Sequence, residues 1–153
     1  MKDIMSCTFD LTNLFIFTGG VDGTLIAWNL DTGFARYYLH ENDNDPNNNP
    51  CTCDNYVSAS KSVDALVIME KHRILISMTA DQYLRFWYLD DMQSQRGPIL
   101  KYHAGHHNPV ADDQLTGIAV TVDNTRFVTT DTSGRIKMHD ISRIKNFMDP
   151  TET

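Results

Sequence analysis

Three stretches of the chain spell one pattern: FIFTGGVDGTLIAWNL at 15–30, ILISMTADQYLRFWYL at 74–89 and RFVTTDTSGRIKMHDI at 126–141. A chain built from one repeated supersecondary unit buries each unit against its neighbours, so this repeat restricts the fold more than any single motif. Aligned on Trp28, Trp87 and His139, the units carry Asp22, Asp81 and Ser133 six residues upstream. The hydroxyl residues Thr18, Ser77 and Thr129 stand four residues before those. Apolar residues recur at Leu25, Leu84 and Ile136, then at Ala27, Phe86 and Met138.

Each unit reads as strand, tight turn, strand. Leu25, Ala27 and Asn29 alternate with Thr24, Ile26 and Trp28, and both sets include apolar side chains, as in a sheet covered on both faces. Asp22-Gly23 and Ser133-Gly134 are read as type I′ hairpin turns. Asp81-Gln82 is expected to turn differently, because positive φ at Gln82 costs on the order of 1 kcal/mol. A further strand precedes each pair, around Ile4 to Phe9, Val63 to Ile68 and Leu115 to Val122. Strand-like runs also follow the tryptophans, Phe34 to Leu39 and Pro98 to Tyr102. About eleven strands and almost no helix are expected, since 3.6-residue periodicity is scarce.

The pattern resembles the WD-repeat family, whose blades open with Gly-His and close a strand with Trp-Asp. Gly105-His106 is the Gly-His here, and the Trp-Asp position reads Trp28-Asn29, Trp87-Tyr88 and His139-Asp140. The resemblance covers residues 4 to 141 and implies an all-β fold: a partial β-propeller of about three four-stranded blades in an open, incomplete ring. The segment would span 1–146, with blade one at about 4–40, an insertion at 41–62, blade two at about 63–104, a loop at 105–114, blade three at about 115–141 and a tail at 147–153. Successive units are farther apart than the ~40–45 residues usual for such blades, and the two insertions take up the excess. Ring closure takes 4–8 blades. The chain is therefore expected to be a fragment, or to be completed by the remainder of the propeller in the same or another chain.

The resemblance also implies a buried network in each blade. By position it assigns Trp28, Thr18 and Asp22 to blade one, and Trp87, Ser77 and Asp81 to blade two, with His40 across the insertion. Blade three receives Thr129 and His106, but has His139 for Trp and Ser133 for Asp, which leaves its network partly satisfied and the blade softest. Residues 61–89 further resemble long WD-repeat proteins of the ciliary axoneme, which implies an architectural role in a motile cilium.

Composition narrows the function. Thirteen basic against 20 acidic residues give a formal charge of −7, which disfavours nucleic acid and anionic membrane as partners. The basic run Arg135, Lys137, Arg143 and Lys145 is read as a solvated strand face. No apolar run reaches the roughly 20 residues of a membrane-spanning helix. Three cysteines do not make a disulfide framework and fit a cytoplasmic setting. Three metal sets are weighed and set below plain loops: Asp43, Asp45 and Asn47, where Asn48 and Asp54 break the calcium-loop pattern; Cys51 and Cys53; and His103, His106 and His107 with Asp112 and Asp113. No metal, cofactor or catalytic residue is assigned. The expected function is a non-catalytic protein–protein scaffold, with a transient regulatory or peptide-binding adaptor as the rival. Tyr37, Tyr38, Arg85, Arg96 and Tyr102 are candidate partner contacts by residue type.

Overall fold

Period-two alternation and turn-forming residues at regular intervals give eleven strands among the described residues. In the computed structural model these are β1 (Ile4–Asp10), β2 (Phe15–Gly20), β3 (Leu25–Asn29), β4 (Ala35–Tyr38), β5 (Val63–Met69), β6 (Ile74–Thr79), β7 (Leu84–Tyr88), β8 (Ile99–Ala104), β9 (Leu115–Val120), β10 (Arg126–Asp131) and β11 (Ile136–Asp140). The structure describes residues 3–39, 62–89 and 114–143, and the backbone of 99–104. A single 3₁₀ turn, Glu70–His72, joins β5 to β6.

The strands pair in sequence order into three antiparallel sheets: β1-β2-β3-β4, β5-β6-β7-β8 and β9-β10-β11. The first strands lie nearest one another between sheets, β1 against β5 and β5 against β9, as blades gather around a channel. This is a partial β-propeller of three WD-type blades. The third blade has three strands among the described residues.

Alternation along each strand sends side chains to opposite faces, and the blades stack through both. Phe15, Phe17, Leu25 and Ala27 of blade one pack with Val63, Leu66, Leu75 and Trp87 of blade two. The opposite face of blade two, with Ile74, Ile76, Leu84 and Phe86, packs with Leu115, Phe127 and Ile141 of blade three. Gly19 allows the closest approach: a Cβ there would lie 2.4 Å from Val63 Cγ1. The Ser6 hydroxyl donates to the Val63 carbonyl at 2.8 Å across the same seam.

The repeat extends to single backbone bonds. Val21 N–H donates to Asp3 O, Ala80 N–H to Ser62 O and Thr132 N–H to Gln114 O, each at 2.9 Å. Leu30, Leu89 and Ile141 likewise donate to Leu14, Arg73 and Thr125. The first three bonds tie each β2–β3-type turn to the residue just before its blade's first strand, and the second three tie the residue after the third strand to the residue before the second.

The turns correct the reading from sequence. Gly23 N–H donates to Gly20 O, Gln82 N–H to Thr79 O and Gly134 N–H to Asp131 O, at 3.0–3.1 Å. Only the last residue of each turn is left-handed: Gly23 at φ 82°, Gln82 at 70° and Gly134 at 80°. Asp22, Asp81 and Ser133 keep negative φ, which excludes type I′ and fits a type I-like turn closed by a left-handed residue. Gln82 does not take another geometry. The aspartate before it accepts the Tyr83 N–H at 3.3 Å and the hydroxyl of Thr79, which helps hold the strained residue in place. Gln82→Gly should therefore stabilise the chain by about 1 kcal/mol, a rise of roughly 2–4 °C in a thermal melt. An unchanged or lower midpoint would mean that Gln82 is not strained.

Candidate functional site

The network positions come together as the repeat implies. Trp28 Nε1 donates to Thr18 Oγ1 at 2.7 Å, and Trp87 Nε1 to Ser77 Oγ at 3.0 Å. In each case antiparallel pairing sets two neighbouring strands of one blade side by side, and alternation points both side chains to the same face. Ser77 and Trp87 are both buried, so their bond removes two polar atoms that would otherwise be desolvated without a partner.

Blade three corrects the expectation of a broken set. His139 Nε2 lies 3.0 Å from Thr129 Oγ1, in the position of the indole bond. The imidazole also stacks on Phe127, with centroids 4.7 Å apart and planes 13° from parallel. A small ring thus keeps both the aromatic contact and the hydroxyl bond. Burial, and then the charge of Lys137, push His139 below its ordinary value of 6.5 and hold it neutral.

The turn acids bond locally. Asp22 accepts from the Thr24 amide and hydroxyl at 3.1 and 2.6 Å. Asp81 pairs with Arg85 at 3.1 Å. Burial alone would raise Asp81, but the bonds from Arg85 and Thr79 and the Arg85 charge outweigh it, and the carboxyl sits below the usual range. In blade three the acid is Asp131, two residues upstream of the expected Ser133. It accepts from the Ser133 amide and hydroxyl and pairs with Arg135 at 3.1 Å. Both acid and arginine have moved back two positions, so the i,i+4 pair survives. Sequence alignment on Ser133 hid it.

The candidate contact residues divide. Tyr37 is 5% exposed and packs on Phe15, with ring centroids 6.0 Å apart. Arg85 is 9% exposed and holds Asp81 and Thr79. Neither offers surface to a partner, because each fills space or balances charge inside its own blade. Tyr38 is half-buried. Arg96, His40, His106, the side chains of Tyr102 and His103, and the sets at 43–54 and 106–113 lie outside the described residues, as do most of the 41–62 insertion and the tail. Among the described residues, no group of three His, Cys, Asp or Glu is placed to hold a metal.

One strong interaction had no signal in the repeat. Asp10, at the end of β1, is fully buried in the seam between blades one and two and receives a two-pronged bond from Arg73 of blade two. Arg73 Nη1 donates to Oδ1 at 2.9 Å and Nη2 to Oδ2 at 2.6 Å. Burial would raise Asp10, but the Arg73 bond and charge, with help from Asn13, bring it below the usual range. Arg73 occupies a left-handed position, φ 53°, that aims its side chain across the seam. In the next seam Met69 occupies the place of Asp10, so one interface uses a salt bridge where the other uses packing. An acid and an arginine 63 residues apart, with no counterpart in the other units, leave nothing for alignment to find.

Fold and network together define a WD-type propeller segment whose buried polar groups serve the blades themselves. No protein-family model matches the chain, and no curated protein does. Solved structures match in number, 531 chains in all. A chain from "Crystal Structure of Mitotic Checkpoint Complex" superposes with a TM-score of 0.65 at 16% identity, over 90% of this chain and 36% of that one. The likeness is one of fold, and this chain spans about a third of its neighbour's length.

Two outcomes follow. Removing one partner of a buried pair strands the other charge, so Asp10→Ala should cost on the order of 3 kcal/mol in denaturant unfolding. The double change Asp10→Met with Arg73→Met, copying the Met69 solution, should recover most of that loss. A folded-state pKa held below its unfolded value makes His139 stabilising above about pH 6.5. That contribution is lost as pH falls through the folded pKa. Protection factors in β10 and β11, exchange rates taken relative to the intrinsic rate at each pH, should therefore fall below pH 6.5, and His139→Trp should remove that fall. Protection factors independent of pH in the unmodified chain would contradict it.

Proposed function

We propose that this chain is part of a non-catalytic protein–protein scaffold, a structural element of a large permanent assembly. One observation carries the reading. Each buried polar side chain among the described residues (Asp10, Thr18, Ser77, Thr79, Arg85, Thr129 and Asp131) is bonded within the chain to a partner that fixes a turn, a strand pair or a seam between blades. Groups committed in this way supply rigidity, and the hydroxyl–imidazole pair they include, Thr129 with His139, holds two strands of its blade together. Rigid frameworks that carry exposed loops are suited to recognition.

The contact surface lies on the rim of blade one. Leu11 and Leu14 in the β1–β2 turn, and Leu30 and Phe34 in the β3–β4 turn, are all exposed. The Leu30 N–H bonds to the Leu14 carbonyl at 2.9 Å, which brings the two turns together. An open polar cleft of about 410 Å³, lined by Thr12, Asn13, Asn29, Asp31 and Arg36, adjoins them. Apolar residues beside such polar groups make a surface fit for a protein partner.

The finer assignment is a structural subunit of the ciliary axoneme, hence cytoplasmic and cytoskeletal. Its support is the resemblance of residues 61–89 to axonemal WD-repeat proteins. The structural neighbour belongs to a multi-protein complex, which agrees with protein partners in general. Tagged chain expressed in ciliated cells should stay with the axoneme through a high-salt wash, and Leu11→Asp with Phe34→Asp should release it. Release of the unmodified chain at low salt would favour a transient regulatory or peptide-binding adaptor.

A further inference from the structure

We infer that the cleft on the rim of blade one takes a carboxylate side chain of a partner protein, with Arg36 as the fork that holds it. The inference rests on the scaffold reading, since it names the chemistry of that partner, but is tested apart from it. Phe15 and Asn29 are cross-strand partners on β2 and β3, and Phe15 packs with Phe17, Ala27 and blade two on one side of the sheet. The cleft they line therefore belongs to the side of blade one that blade two covers. Arg36 enters it from β4. The β3–β4 register shifts between the Ala27–Tyr37 and Trp28–Ala35 pairs, which makes Arg36 the extra, unpaired residue of a bulge. Bulges re-aim a side chain away from the strand's ordinary alternation. The same shift recurs in blade two between Phe86–Tyr102 and Trp87–Leu100, where the extra residue is Lys101. Both blades thus place a basic residue at one rim position.

The Arg36 guanidinium carbon lies 5.0 Å from the centroid of the Tyr37 ring, and Tyr37 is buried. A guanidinium laid on a fixed ring loses less freedom on binding and keeps its in-plane N–H donors for a planar acceptor. Arg73, Arg85 and Arg135 each hold a carboxylate of this chain, and among the described residues Arg36 holds none. Asn29 supplies further donors. Its Oδ1 accepts the Asp31 and Thr32 amides at 2.9 and 3.0 Å, and its Nδ2 meets no acceptor among the described residues. Both groups offer N–H donors, so the ligand must bring oxygen acceptors. Asp31, exposed on the same cleft, decides between the two anionic kinds. A phosphate, at a charge of about −1.5 to −2, is repelled by Asp31 more strongly than a carboxylate is. A carboxylate with a basic residue beside it satisfies Arg36 and Asp31 together. The partner segment is an acidic residue flanked by a basic one.

A peptide capped at both ends and holding adjacent Glu and Lys, titrated into the isotope-labelled whole chain, should shift the Arg36 Nε–H and Asn29 Nδ2 signals to saturation in nuclear magnetic resonance spectra. Gln in place of the peptide's Glu should weaken binding roughly tenfold, since the charge-assisted fork is lost. Arg36→Met should weaken it as much, and Arg36→Lys, which keeps the charge without the fork, should rescue it only in part. Phosphoserine in place of the Glu should bind no tighter, and Asp31→Asn should reverse that order. The peptide series on the unmodified chain stands even if a variant fails to fold. No saturable shift, equal binding of the Gln peptide, or binding unchanged by Arg36→Met would overturn the inference. Tighter binding of the phosphoserine peptide would overturn it too, and would assign the cleft to a phosphorylated partner. Retention by the axoneme without peptide binding would sink this inference alone. Peptide binding without retention would sink the scaffold reading alone.

Discussion

The structure depends on burial of sheet faces between neighbouring blades, with the middle sheet covered on both sides. A three- or four-stranded sheet with apolar side chains on each side is stable only between neighbours, and the blades supply neighbours to one another. Phe17, Ala27 and Leu75 in one seam, and Ile76, Phe86 and Phe127 in the other, are completely removed from solvent. At about 25 cal/mol per Å² of apolar surface, contacts of this kind dominate the favourable side of folding. The turns, hydroxyl bonds and ion pairs then fix how the sheets lie within that constraint.

The polar groups can be sorted by the link they secure. Trp28 with Thr18, Trp87 with Ser77 and His139 with Thr129 lock two strands of a blade. Asp22, Asp81 and Asp131 hold the turns that start β3, β7 and β11. Asp10 with Arg73 binds blade to blade. Lys71 serves more weakly in the second seam, where its ammonium donates to the Asp123 carbonyl at 3.2 Å at the surface. The first seam is therefore held by charge and packing together, the second chiefly by packing. Binding a partner on the blade-one rim would load the seam that carries the salt bridge.

Most of the architecture was legible because it repeats. The tryptophan and hydroxyl positions and the strand order follow from register, and register survives the replacement of Trp by His139. What escaped was local or unrepeated. The turns were misread because Asp-Gly and Ser-Gly pairs also suit a turn with one left-handed residue, and Gln82 shows that glycine is not required there. Asp131 was missed because the acid moved together with its arginine. Asp10 and Arg73 meet only once the blades stack. Tyr37 and Arg85 were candidates for the surface by residue type, yet ring packing and a neighbouring carboxylate draw them inward. Residue type alone does not say which face a side chain takes.

The central claim is that stability comes from covered faces between blades. Native-state hydrogen exchange on the dilute chain, resolved strand by strand, tests it most directly, because local opening reports how firmly each element is held. The account predicts slowest exchange in β6 and β7, whose blade is covered on both sides, and faster exchange in β1 and β11, whose outer faces are open. Equal protection in all three blades, or greatest protection in β11, would contradict it.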